Sequence, residues 1–177
     1  TSMGTALFSN LIYHEKDSSL FIDTMSVESF VKDSLREIHI VSSLGDISLK
    51  GDAVLQGADQ AITKILDNAL PTYFKDDYDI NKNKGGMVLY ANMNENLNEV
   101  LSVFVPALSI DSNLVVRSSF FLDPPTLNFS VHSEGLTYAG LMVDSFEFNG
   151  GFIDSTFHAE LIADTVSLNE NIRIENL

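Results

Sequence analysis

From Asp111 to Leu177 the chain alternates oily and polar residues one at a time. A period of two places alternate side chains on opposite faces of a strand, so each run has one oily and one wet face. Leu127, Phe129 and Val131 alternate with Asn128, Ser130 and His132. Phe146 and Phe148 flank Glu147. Phe157, Ala159, Leu161 and Ala163 alternate with His158, Glu160 and, less cleanly, Ile162. Val166 and Leu168 enclose Ser167, and Ile172 and Ile174 enclose Arg173. Turn-forming residues at Pro124-Pro125, Glu134-Gly135, Asn149-Gly150-Gly151 and Asn169-Glu170-Asn171 divide the runs. This spacing predicts an antiparallel meander, and the whole chain is expected to hold about nine or ten strands.

The earlier half carries weaker versions of the same pattern. Ala6 to Tyr13 is an apolar run closed by a turn at residues 14–17. Leu20 and Ile22, then Met25 and Val27, alternate before a turn at residues 32–34. Ile38 and Ile40, a turn at residues 44–46, and Ile47 and Leu49 read as a hairpin. The period then switches to that of a helix. Ile62, Ile65, Leu66 and Ala69 share one helical face, with Asp59 in the first turn and Pro71 as the stop. That predicts a helix from Ala58 to Leu70. Met87, Leu89, Ala91 and Met93 alternate as a strand. Leu97, Val100, Leu101 and Phe104 follow at helical spacing and end before Pro106, which predicts a second helix over Asn94 to Phe104. Asn92 with Glu95 three residues on resembles a capping box, and Asn94 is the alternative cap.

Composition narrows the chemistry. The chain has 177 residues, is 45% hydrophobic, and has a formal net charge of −15, from ten basic and 25 acidic side chains. It is long enough to bury a core and too oily for a disordered chain, so it reads as one domain. The acidic excess repels nucleic acid and anionic headgroups, so no nucleic-acid partner is expected. With no cysteine there is neither a disulfide framework nor thiolate chemistry. No apolar run reaches the length of a membrane-spanning helix. His14, His39, His132 and His158 lack the spacing of a metal site and read as solvated. Asp77, Asp79 and Asn81 suggest a calcium loop, but Lys82 and Val88 stand where such a loop needs glycine and glutamate. Asn128-Phe129-Ser130 matches a glycosylation acceptor, yet it lies in mid-strand. Neither a nucleophile elbow nor a phosphate-cradling glycine loop occurs, and the acids form no marked pair. The expectation is a non-enzyme without metal or cofactor.

The segments Leu127 to Val131, Gly135 to Tyr138, Val143 to Phe148, Phe157 to Leu168 and Ile172 to Leu177 resemble the TamB family, in its Bacteroidetes form, within the wider AsmA-like group. The stop at Pro106, Leu108 and the Asp111-Ser112-Asn113 turn are similar too. The resemblance covers most of Ser18 to Leu177. It implies one internal segment of a very long periplasmic protein, anchored in the inner membrane and acting in outer-membrane biogenesis with an outer-membrane assembly partner. It also implies a U-shaped sheet that carries phospholipid acyl chains along a greasy groove. The fold expected is therefore mainly β, a curved antiparallel sheet with two inserted amphipathic helices, which a plain U-shaped sheet does not need.

On that reading Leu127, Phe129, Val131, Tyr138, Phe146, Phe148, Phe157, Leu161, Val166 and Leu168 line one continuous apolar surface. Large exposed apolar patches usually bind something. The competing reading is an ordinary core, with Ile62, Ile65, Leu66, Leu97, Leu101 and Phe104 packed onto that face. Two other architectures share the alternation. A secreted or surface β-sandwich for binding or adhesion needs two sheets of matched area. An outer-membrane barrel fits poorly with two helices, no tryptophan and five tyrosines.

Overall fold

The structure is a computed structural model that describes residues 2–15, 18–52, 85–122, 125–153, 156–168 and 172–175. The helix expected over Ala58 to Leu70 and the acidic loop around Asp77 lie outside the described residues.

Among the described residues twelve strands form one sheet. In chain order they are β1 (Ser2–Glu15), β2 (Ser18–Lys32), β3 (Leu35–Ser42), β4 (Gly45–Gly51), β5 (Gly86–Met93), β6 (Leu108–Ile110), β7 (Leu114–Leu122), β8 (Pro125–Tyr138), β9 (Leu141–Ile153), β10 (Thr156–Ile162), β11 (Thr165–Leu168) and β12 (Ile172–Glu175). Among the described residues one helix, α1 (Leu97–Phe104), stands between β5 and β6. The spatial order is β1-β2-β3-β4-β5-β7-β8-β9-β11-β12, with β6 beside β8 and β10 beside β9. Every pairing is antiparallel, and no pairing of the described strands closes the sheet into a barrel. A mainly β antiparallel meander is thus what the alternation dictates, since each run can bury its oily face only beside neighbours of the same polarity.

The long strands β8 and β9 run through two of the expected turns. Glu134-Gly135 lies inside β8 and Asn149-Gly150-Gly151 inside β9. The chain instead reverses at Ala139-Gly140, where both residues have positive φ, 50° and 88°. The internal glycines serve close approach, as strand glycines often do. A Cβ on Gly150 would collide with the Phe129 ring, and one on Gly135 would collide with the Asp111 side chain.

Because β8 and β9 are long, each is flanked by two short strands end to end. β6 and β7 lie along one side of β8, and β10 and β11 along one side of β9. Between them the ladder is interrupted. Glu134 and Ser145 pair with nothing in the ladder between β8 and β9, and Ser145 has a φ of 53°. Asn10 and Asp23 are skipped in the same way between β1 and β2, and Asn10 has a φ of 54°. Residues 111–113 stand opposite only 134–135, an extra residue of the bulge kind. The β3–β4 turn and the end of β5 fall at the same level, where the Asn94 N–H donates to the Leu44 carbonyl at 2.9 Å. One line of irregularity therefore crosses the whole sheet.

The alternation changes phase at this line. In β9 the oily set is Phe152, Phe148 and Phe146 on one side of it and Val143 and Leu141 on the other. Val143 is 7% exposed while its neighbours Met142 and Asp144 are exposed. In β2, Val27 and Met25 give way to Ile22 and Leu20, and Leu20 is buried. In β10 and β11, Leu161 and Ala163 give way to Val166 and Leu168. A residue in left-handed conformation in an extended chain re-aims the side chains that follow, so the oily residues keep company across the break. The tightest burial lies along the line, at Ile110, Ser133 and Ala163.

Beyond the line β3, β4 and β5 have ended, and α1 fills their place between β6 and β2. Its first turn carries Glu99, and it ends at Val105 before Pro106. Asn92 is not its cap but part of β5. Asn94 shapes the entry, its Oδ1 accepting from the Asn96 N–H at 2.9 Å and its Nδ2 donating to the Ser43 carbonyl at 3.0 Å.

Candidate functional site: the apolar face of the sheet

The register decides which side chains meet. Ala6, Val27, Ile40, Ile47, Ala91, Val116, Val131, Phe148 and Leu161 stand directly opposite one another, strand after strand from β1 to β10. All nine are apolar. At about 4.8 Å between strands the row is roughly 38 Å long. The next residue on each strand faces the other way. Thr5, Glu28, His39, Ser48, Tyr90, Arg117, Ser130, Asn149 and Glu160 form the matching row on the opposite face. Eight of these carry polar or charged groups, and the ninth, Tyr90, has the Arg117 guanidinium 5.7 Å from its ring centre. Along these two rows the faces of the sheet are chemically opposite, while Val41, Val88 and Phe121, on the same face as the polar row, are 53%, 48% and 45% exposed.

The ten residues expected to line the apolar surface fall in two groups, one on each side of the line. Leu127, Phe129, Val131, Phe146, Phe148, Phe157 and Leu161 sit together on β8, β9 and β10. Leu127 is opposite Phe152, which is opposite Phe157, and Val131 is opposite Phe148. Phe129 lies over Gly150, with ring centres 5.4 Å from Phe148 and 6.3 Å from Phe157. Tyr138, Val166 and Leu168 lie past the line. There Tyr138 is opposite Leu141, which is opposite Leu168, and Val143 is opposite Val166. Leu161, Tyr138 and Leu168 are 55%, 52% and 43% exposed, so part of this surface faces outward.

The expected surface ends with the closing ladder. The register extends it through Phe120 and Met87, both buried, and through Leu49, Ile47, Ile40 and Val27. The signal was present, because β2 to β5 alternate just as β8 to β10 do. Ile62, Ile65 and Leu66, which the ordinary-core reading packs onto this face, lie outside the described residues. α1 lies against β6 and β2, and Phe104 stacks on Tyr13 at 5.6 Å between ring centres. It does not lie over Phe129, Phe148 or Phe157.

On the polar face the titratable groups are spread out. Glu37 accepts from His39 Nε2 at 3.0 Å and has Lys50 at 3.7 Å. The His39 hydrogen bond, with Lys50 beside it, holds the Glu37 carboxyl below the ordinary glutamate value. His14 Nδ1 is 2.7 Å from the Ser19 hydroxyl, and His132 and His158 are exposed. Among the described residues no three metal-ligating side chains come together. The chain matches no family model, no curated protein and no solved structure.

Proposed function

We propose that this chain is a non-catalytic segment of a longer, TamB-like protein that spans the periplasm from an inner-membrane anchor. It acts in outer-membrane biogenesis by passing phospholipid acyl chains along the apolar face of its sheet, together with an outer-membrane assembly partner. The observation that carries this reading is the row of nine apolar side chains from Ala6 to Leu161. An acyl chain needs no directional ligand, only a dry strip free of unpaired polar groups. The described strands supply one sheet, and Leu161, Tyr138 and Leu168 keep part of its apolar face open to solvent; an open apolar strip is a binding surface. The alternative, a surface β-sandwich for adhesion, needs a second sheet, and the described strands all belong to one.

Photocrosslinking in cells tests the reading. A photoreactive residue is placed at Phe129 or Leu161 on the apolar face and at Ser130 or Glu160 on the polar one. Lipid adducts at the first two alone are expected. Equal labelling at all four, or none in correctly folded protein, overturns the proposal.

A further inference from the structure

The line across the sheet is a mechanical weak point. Three strands, β3, β4 and β5, stop at it. β7 and β10 stop there too, and their continuations β6 and β11 are offset by the broken ladder. Only β1, β2, β8 and β9 carry an unbroken backbone through, each with a skipped pair at the crossing. A sheet is stiff along its strands and soft where the ladder is interrupted, which is why bulges bend strands. The smaller block beyond the line holds the paired ends of β1 and β2 past Asn10 and Asp23, β6, the ends of β8 and β9 that meet at residues 138–141, β11 and β12.

α1 ties the smaller block to the larger one: at its entry the Asn94 and Asn96 side-chain amides both donate to the Ser43 carbonyl in the β3–β4 turn, at 3.0 and 2.9 Å, and its body lies in the smaller block. It runs outward from the line beside β6, and its far end reaches β1 through the stack of Phe104 on Tyr13. At its near end Asn98 does what a neighbouring strand would do. Its Nδ2 donates to the Ile110 carbonyl at 2.8 Å, and its Oδ1 accepts from the Ile110 N–H at 2.8 Å. An antiparallel neighbour exchanges the same two bonds with the residue opposite. One side-chain amide has the one donor and one acceptor required. Ile110, 3% exposed, thereby has both main-chain groups paired on the side away from β8. The outer edge of β6 is closed against strand addition.

We propose that the line is a joint between two blocks of the sheet and that α1, latched by Asn98, is the brace that sets its angle. The inference rests on topology and hydrogen bonding, and holds whether or not the apolar face carries lipid. Since the apolar face continues across the joint by its change of phase, the brace also fixes how the two parts of that face meet.

The chain has no cysteine, so spin labels can be placed at will. One pair at Glu28 and Met142 spans the joint, and a second at Glu28 and Glu160 lies within the larger block; all three positions are exposed. In Asn98→Ala the first distance distribution is expected to shift or at least double in width, and the second to stay as in the parent. Asn98→Asp keeps only the acceptor and is expected to fall between. An unchanged first distribution in either variant overturns the brace. Loss of both distributions overturns it as well, because it would make α1 a general core element and not a local support.

Discussion

At the scale of single residues, the sheet shows glycine and aromatic side chains dividing space between them. Phe129 fills the room that Gly150 leaves, and Phe148 and Phe157 pack around it. Gly150→Val is expected to displace the ring and cost about 1–3 kcal/mol by overpacking, read from urea unfolding. Phe152, 4% exposed and opposite Leu127, is expected to cost about 3–5 kcal/mol on replacement by alanine. Glu37 gives a prediction in pH. Its folded carboxyl titrates below the ordinary range, chiefly through the His39 hydrogen bond. The folded state therefore binds fewer protons than the unfolded one across that acid window. The small stabilisation is present above the ordinary glutamate value and is lost as pH falls through the lowered one. A carboxyl NMR titration should show the low inflection, and His39→Ala should move it back up. An inflection unmoved by that change would assign the shift to Lys50.

At the scale of elements, the change of phase makes a prediction that strict alternation reverses. Counting by twos from Phe148 and Phe146 puts Asp144 and Met142 inside and Val143 outside. The structure has Val143 buried and Asp144 exposed. Val143→Asp is expected to destabilise by more than about 3 kcal/mol, since it buries a carboxyl without a partner. Asp144→Ala is expected to stay within about 0.5 kcal/mol, as exposed positions usually do. Equal effects at the two sites would show that β9 has no break at Ser145. The phase change was written in the sequence, as even-numbered Phe146 and Phe148 against odd-numbered Leu141 and Val143. The matching break in β8, at Glu134-Gly135, has the signature of a turn, because glycine beside a polar residue marks turns more often than interruptions in mid-strand. The helix was legible in its period and its stop, and its N-terminus was not. Asn92 is claimed by β5, whose ladder bonds outweigh the gain from a single cap.

At the scale of the whole molecule, the sheet has two ends. β1 pairs only with β2 among the described strands, and from Ser2 to Tyr13 it carries no charged side chain. Leu7 is 75% exposed and Met3 70%. Natural edge strands are usually defended by charge, proline or a cover, and an undefended one tends to pair with other chains. The isolated chain is expected to self-associate with rising concentration, and Leu7→Lys is expected to reduce this in sedimentation without lowering the melting temperature. Association unaffected by that change would place the contact elsewhere.

The sequence by itself determined the class of this fold and the two-sidedness of each strand. Both follow from a period of two, which is local and survives in any arrangement of the strands. It also determined α1, through a period near 3.6 closed by Pro106. Only the tertiary structure decided that nine apolar residues from nine strands fall in one row. That depends on register, and register is fixed by pairings between residues far apart in the chain. Ala6 and Leu161 belong to one surface only because eight successive ladders each hold their place. The same holds for Asn98, an unremarkable polar residue on a helix until β6 returns beside it. Its two bonds to Ile110 span twelve residues of sequence, and no local pattern announces them.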